Sequence, residues 1–191
     1  MNMYFVIHKP FGVISQFSPS GDKRTLKDLY DFPNDVYPVG RLDTDSEGLL
    51  IITNDKSITH KLMHPSRKKE KTYWVQVDGS ITEEAINQLA KGVTINIKGK
   101  SHNTSKARVK HIPTPDIEDR DPPVRYRKNI PTSWISISIT EGKNRQVRRM
   151  TAAVGFPTLR LIRVGIGKLE TDFNEMVRPF NKKHLENLLQ L

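Results

Sequence analysis

A mixed α/β domain with two lobes around a cleft is predicted by three features of this chain. Short apolar runs at strand spacing alternate with segments at helical spacing. A length of 191 residues suits one domain with a sizeable buried core. No repeat, low-complexity tract or linker divides it, so the expected domain is residues 1–191 as a single unit with two lobes.

Residues 3–7 form the opening strand, stopped by Lys9-Pro10-Phe11-Gly12. Residues 25–30 suit one short helix. Pro38-Val39 leads into a polar turn, and residues 49–53 are the most apolar strand candidate. Residues 57–63 have helical spacing. Residues 71–77 alternate, with Tyr73, Val75 and Val77 on one face, as a half-buried strand requires. Thr82 opens a helix that runs to Ala90, with Ile86 and Leu89 on one side and Gly92 as its stop. Residues 93–97 and 107–112 are further strands. Between Pro113 and Pro131 lies a loop rich in proline and charge, carrying Arg120, Arg125, Arg127 and Lys128. Connections of that length are usually functional or mobile. Ile135, Ile137 and Ile139 alternate with Ser136, Ser138 and Thr140 to give a strand. A helix over 144–154, a strand over 159–164 and a last helix over 182–189 complete the order.

Composition narrows the partner. The chain has no cysteine, which excludes disulfides, thiolate metal sites and cysteine nucleophiles. No apolar run approaches the length of a membrane span, and residues 1–10 lack the basic-then-apolar order of a signal peptide. A cytoplasmic protein with no membrane contact is expected. The formal charge is +10, and residues 142–169 carry Lys143, Arg145, Arg148, Arg149, Arg160, Arg163 and Lys168 with no acid among them. So much like charge repels itself unless a polyanion neutralises it, which favours nucleic acid as the partner.

The turn itself is Gly40-Arg41-Leu42-Asp43-Thr44-Asp45-Ser46-Glu47-Gly48, followed at once by Leu49-Leu50-Ile51-Ile52. It sets an arginine and a carboxylate two residues apart on a loop anchored to a strand, where catalytic groups tend to sit. Its first half echoes a calcium loop, but Asn54 stands where that loop needs a bidentate glutamate. His60 and His64 have zinc-ligand spacing and no third ligand nearby. Gly165-Ile166-Gly167 lacks the rest of a dinucleotide fingerprint, and there is neither a Walker loop nor a nucleophile elbow. No cofactor and no metal is expected. On a helical wheel over 144–154, Val147, Met150, Thr151 and Val154 form one side, and Arg145, Arg149 and Ala152 the other. Arg148 falls on the boundary, where a side chain reaches sideways into a cleft.

Gly40-Arg41-Leu42-Asp43 with Gly48-Leu49-Leu50 resembles the signature of the pseudouridine synthases, in the form used by the RsuA/RluB/RluE/RluF group. Lys71-Thr72-Tyr73-Trp74-Val75-Gln76-Val77 resembles the group's second block, and Glu141-Gly142-Lys143-Asn144-Arg145-Gln146-Val147-Arg148-Arg149-Met150 its third. Leu161-Ile162-Arg163-Val164-Gly165-Ile166-Gly167 resembles the segment after it. The blocks stand in the family's order and span nearly the whole chain. Most of the group carries a small N-terminal S4 domain, for which the first strand at Met3 leaves no room here. That departure, with Pro122-Pro123-Val124-Arg125 and Ile130-Pro131-Thr132-Ser133-Trp134, is most similar to the RluE-type enzymes acting on large-subunit (23S) ribosomal RNA.

The resemblance implies a pseudouridine synthase fold, with a mixed and mostly antiparallel sheet in two lobes flanking a catalytic cleft. It implies an isomerase that converts uridine to pseudouridine in ribosomal RNA, a monomer requiring no cofactor. Asp43 would be the nucleophile, attacking the ribose or C6 of the base, or abstracting a ribose proton. Tyr73 would stack on the flipped uracil, worth roughly 1–3 kcal/mol, with its hydroxyl available to the C5 proton. Arg148 would pair with Asp43 and orient it. Arg41 would hold a phosphate or fill the vacated stack, and Lys71, Lys143, Arg145, Arg149 and Arg163 are candidate RNA contacts. Phosphate contacts of this kind position RNA without reading its sequence. Free rRNA and an assembling particle both fit as substrate. The rival reading is a non-catalytic RNA-binding or ribosome-assembly factor on the same fold, which explains the charge equally well.

Overall fold

In a computed structural model of the chain, residues 1–64, 66, 69–125 and 127–191 are described. The elements run β1 (Tyr4–Lys9), a 3₁₀ turn (Leu26–Asp28), β2 (Tyr37–Pro38), β3 (Glu47–Thr53), α1 (Lys56–Met63) and β4 (Lys71–Asp78). They continue through α2 (Glu83–Lys91), β5 (Thr94–Ile97), β6 (Lys100–Asn103), β7 (Arg108–Ile112) and β8 (Thr132–Ile139). The chain closes with α3 (Gln146–Ala153), β9 (Thr158–Ile166), β10 (Leu169–Glu170), β11 (Val177–Pro179) and α4 (Lys182–Leu189). Two compact units result, Met1–Lys69 with Ile162–Leu191, and Glu70–Leu161.

In the first unit β3 is central. Every one of its residues is buried, because it carries an uninterrupted apolar run and is covered on both faces. It pairs antiparallel with β1, Tyr4 opposite Thr53 and Lys9 opposite Gly48. It pairs parallel with β9, Gly48 opposite Arg163. Strand β11 adds antiparallel to β1. Leu49 and Ile51 face a core shared with Ile58 of α1 and Leu185 and Leu189 of α4. Leu50 and Ile52 face the other way, into a core with Ile7, Val13, Leu26, Phe32, Val36 and Leu42. The period of two along β3 thus sends alternate side chains into two cores. The turn that follows Leu42 is thereby tied to the rigid part of the unit.

Helix α1 begins at Asp55, whose carboxylate accepts from the Ser57 N–H at 2.8 Å. That side chain is only 4% exposed and also receives the Tyr4 hydroxyl and the Lys182 ammonium, each at 2.8 Å. Burial works to raise the Asp55 pKa, and the hydrogen bonds from Lys182, Ser57 and Tyr4 outweigh it, leaving the carboxyl well below its ordinary range.

The second unit is an antiparallel sheet of β4, β8 and β7, with Tyr73 opposite Ile137 and Asp78 opposite Thr132. Its core face carries Tyr73, Val75, Val77, Ile135, Ile137 and Ile139, packed on Ile86 and Leu89 of α2 and Val147 and Met150 of α3. The hairpin of β5 and β6 is separate from this sheet. The expected helix over 25–30 shrinks to a single 3₁₀ turn capped by Thr25 and Asp28, and beyond it the Tyr30 ring meets Phe5 at a tilt and Phe32 meets it edge-on. Helix α3 starts at Gln146 rather than 144, since Arg145 takes a left-handed conformation with φ +51°.

Candidate active site

Asp43 sits at the head of a turn held from several sides. Its carbonyl accepts from the Ser46 N–H at 3.0 Å, and the Thr44 carbonyl accepts from the Gly12 N–H at 2.8 Å. The buried Ser15 hydroxyl donates to the Leu42 carbonyl at 2.8 Å and accepts from the Leu42 N–H at 3.1 Å. Leu42 plugs the core beneath, which leaves Arg41 exposed and Asp43 half-buried beside it. At the far end Gly48 has φ +104°, and any Cβ there would overlap the Arg163 carbonyl oxygen. Glycine is required at this position by both conformation and space.

Beneath the turn lies Lys9, fully buried, with its ammonium donating to the carbonyls of Pro10 and Val13 at 2.8 Å each. Burial pushes its pKa down to about 8 from 10.5. The charges of Glu47, Asp45 and Asp43 oppose that fall, and Arg163 adds to it. Lys9 and Arg163 therefore set a positive base under three acids, and Glu47, 4% exposed, is enclosed with them. The Lys9 charge offsets part of the mutual repulsion among Asp43, Asp45 and Glu47. Sequence reasoning passes over Lys9 and Ser15. A lysine ending an apolar strand directly before proline is the signal that points to the first of them.

Arg163, expected at RNA, lies inside the first unit at the start of β3. It is 6% exposed and donates from Nε to the Leu49 carbonyl at 2.8 Å. That bond braces the start of β3.

In the second unit, Tyr73 is buried within the core cluster, and Lys71 is half-buried two residues before it. Arg148 is half-buried on α3, at the edge of the face formed by Val147, Met150 and Thr151, as the wheel predicts. The start of α3 is organised by Gln146, which accepts from the Lys143 N–H at 3.1 Å and donates to Glu141 at 2.7 Å. Burial works to raise the Glu141 pKa. Hydrogen bonds from Ser105 and Gln146 overcome it, so the carboxyl stays below its usual range and anionic. Lys143 and Arg145 are exposed, as candidate phosphate contacts must be. Arg149 is half-buried, and its guanidinium is engaged by the carbonyls of Asn144 and Asn96 at 3.1 and 2.6 Å. Its first task is to tie α3 to the β5 strand.

Comparison with known proteins places these motifs in one family. Residues 3–153 match the family described as RNA pseudouridylate synthase. The ribosomal large subunit pseudouridine synthase E of Xanthomonas axonopodis is 50% identical over 89% of this chain and 88% of its own. The protein of the same name from Vibrio parahaemolyticus is 50% identical over 86% of this chain and 67% of its own. A crystal structure of a pseudouridylate synthase superposes with a TM-score of 0.78 at 27% identity, covering 98% of this chain and 74% of that one. The fold is that of the pseudouridine synthases.

Proposed function

Since this chain belongs to the RNA pseudouridylate synthase family, we propose that it isomerises a uridine of large-subunit ribosomal RNA to pseudouridine, with Asp43 as nucleophile. The observation that carries the reading is the Asp43 turn. It lies inside the matched segment and is locked by Ser15, Gly12 and Gly48. The half-identical relatives are named for the large subunit, which supports that RNA as substrate.

In this reaction the N1–C1′ bond breaks, the uracil turns, and C5 bonds to C1′. The C5 proton leaves and N1 gains one, so atoms balance with no redox step. Extruding the uridine from its stack costs a few kcal/mol, which binding must offset. We assign Asp43 the attack on ribose or base, Tyr73 the stacking of the flipped uracil, and Arg148 the charge that partners the nucleophile. Burial of Tyr73 among Val75 and Met150 supports a rigid platform. Arg41, Lys71, Lys143 and Arg145 are assigned to the RNA backbone, which they position without reading sequence. The protein acts as a cytoplasmic monomer, on free rRNA or on an assembling subunit. No helix among the described residues is long and apolar enough to cross a membrane.

The test is to incubate purified protein with metal-free large-subunit rRNA transcript and map pseudouridine. A single new site is expected. Tight RNA binding with no pseudouridine, on transcript and on subunit precursors alike, would replace the enzyme with an assembly factor.

A further inference from the structure

The loop between β7 and β8 is folded onto the second unit and encloses a cavity of about 710 Å³. That volume falls within the roughly 300–1,000 Å³ of small-ligand sites. The loop holds its shape through two arginines. Arg120 donates to the carbonyls of Pro122, Pro123 and Leu159, at 2.8, 3.3 and 3.4 Å. Arg160, 7% exposed, donates to the Glu118 carbonyl at 2.9 Å. Both line the cavity, so its walls are pre-organised rather than assembled on binding.

The lining has two characters. Pro115, Ile117, Pro123, Val124, Ile130 and Trp134 supply apolar surface. The charged lining is five cations, Arg120, Arg125, Arg127, Lys128 and Arg160, against the two acids Asp78 and Asp119. Asp78 is already paired with Arg127 at 3.0 Å. Arg125 and Lys128 are exposed and have no ion-pair partner among the described residues. Apolar surface beside unpaired cations is the combination that a nucleotide satisfies, base on one part and phosphate on the other.

Position on the sheet separates this cavity from Tyr73. It is lined by Gln76, Asp78, Thr132 and Trp134, which alternate with the core-facing Tyr73, Val75, Val77 and Ile135. It therefore lies on the opposite face of the sheet from Tyr73. Asp78 is also five residues farther along β4, about 17 Å at strand rise.

We propose that this cavity is an auxiliary RNA-binding site, taking one unpaired nucleotide of the substrate RNA away from the isomerised uridine. The proposal rests on the RNA-modifying reading above. The phosphate meets Arg125 and Lys128, and the base packs on the apolar lining. Its effect is on affinity and on the choice of RNA rather than on the chemical step.

The test is the variant Arg125→Ala/Lys128→Ala, titrated with in vitro large-subunit rRNA transcript over a range of salt, with Lys91→Ala/Lys100→Ala as an exposed control. Losing two phosphate contacts should make the slope of log K against log salt shallower by about 1.5. KM for the transcript should rise about tenfold with kcat unchanged, and the control should match wild type. Unchanged affinity and slope in an active enzyme would overturn the auxiliary site alone. A kcat loss at unchanged KM would overturn it as well, and so would lost binding of poly-glutamate with RNA binding intact. Wild-type protein that makes no pseudouridine, yet binds transcript with a slope depending on Arg125 and Lys128, would retire the activity and keep the site.

Discussion

Replacing Lys9 by methionine separates two opposing contributions of one buried charge. The fall of its pKa from 10.5 to about 8 means the fold holds the ammonium less well than water does, by about 3 kcal/mol. Methionine removes that cost and fills similar space. It also leaves the Pro10 and Val13 carbonyls without their donor, at about 1–3 kcal/mol each. Near pH 7 the two effects largely offset, and stability should change by no more than about 3 kcal/mol. The pH dependence should differ sharply. Between pH 8 and 10.5 the unfolded chain keeps the Lys9 proton and the folded one releases it, so wild-type stability gains with rising pH. Relative to Lys9→Met, wild type should gain about 3 kcal/mol across that window. Urea unfolding of both proteins from pH 7 to pH 10.5 measures it. Parallel curves would refute the buried-cation reasoning. Isomerisation should also fall, since Asp43, Asp45 and Glu47 lose the positive charge beneath them.

Gly48→Ala would place a Cβ 2.7 Å from the Arg163 nitrogen and against its carbonyl oxygen, at φ +104°. Strand β9 would have to withdraw, so thermal unfolding should show a loss of about 3 kcal/mol or more, with activity lost alongside. A variant of near wild-type stability would show that the contact yields easily. Asp55 predicts acid behaviour: its carboxyl is held low, so its stabilisation is present above the unfolded value near pH 4 and lost as pH falls below it. Asp55→Asn should cost about 2–4 kcal/mol at pH 7 and flatten the acid-induced loss, read by denaturant midpoints from pH 7 to pH 2. An equal acid slope in both proteins would remove Asp55 from that account.

Strongly periodic segments are legible from residue spacing alone. The apolar run of β3, the alternation of β4 and β8, and the Thr82-to-Gly92 helix all appear where expected, because their burial follows directly from side-chain spacing. Strands whose pairing is set by tertiary contact are not legible in this way. Lys100–Asn103 is polar throughout and forms β6 only against Thr94–Ile97, and Val177–Pro179 is a strand only because β1 offers an edge. At the site, the motif singles out Asp43, and Arg148 lies half-buried on α3, in keeping with its boundary position on the wheel. Burial of charge is the hidden part. Local sequence passes over Lys9 and offers Arg163 as an RNA contact, and only the packing of β1, β3 and β9 shows both to be buried. The basic loop after β7 is recognisable by length and charge, whereas its cavity depends on Arg120 and Arg160 gripping backbone carbonyls.

Asp43→Asn tests the central claim most directly, because it changes one atom of a half-buried side chain and leaves the clamps from Ser15, Gly12 and Gly48 in place. Wild-type and variant protein would be incubated with the same rRNA transcript, with pseudouridine counted and RNA affinity measured in parallel. Loss of all isomerisation with RNA binding kept within a few-fold is the predicted result. Substantial turnover by the variant would contradict the assignment of Asp43 as nucleophile.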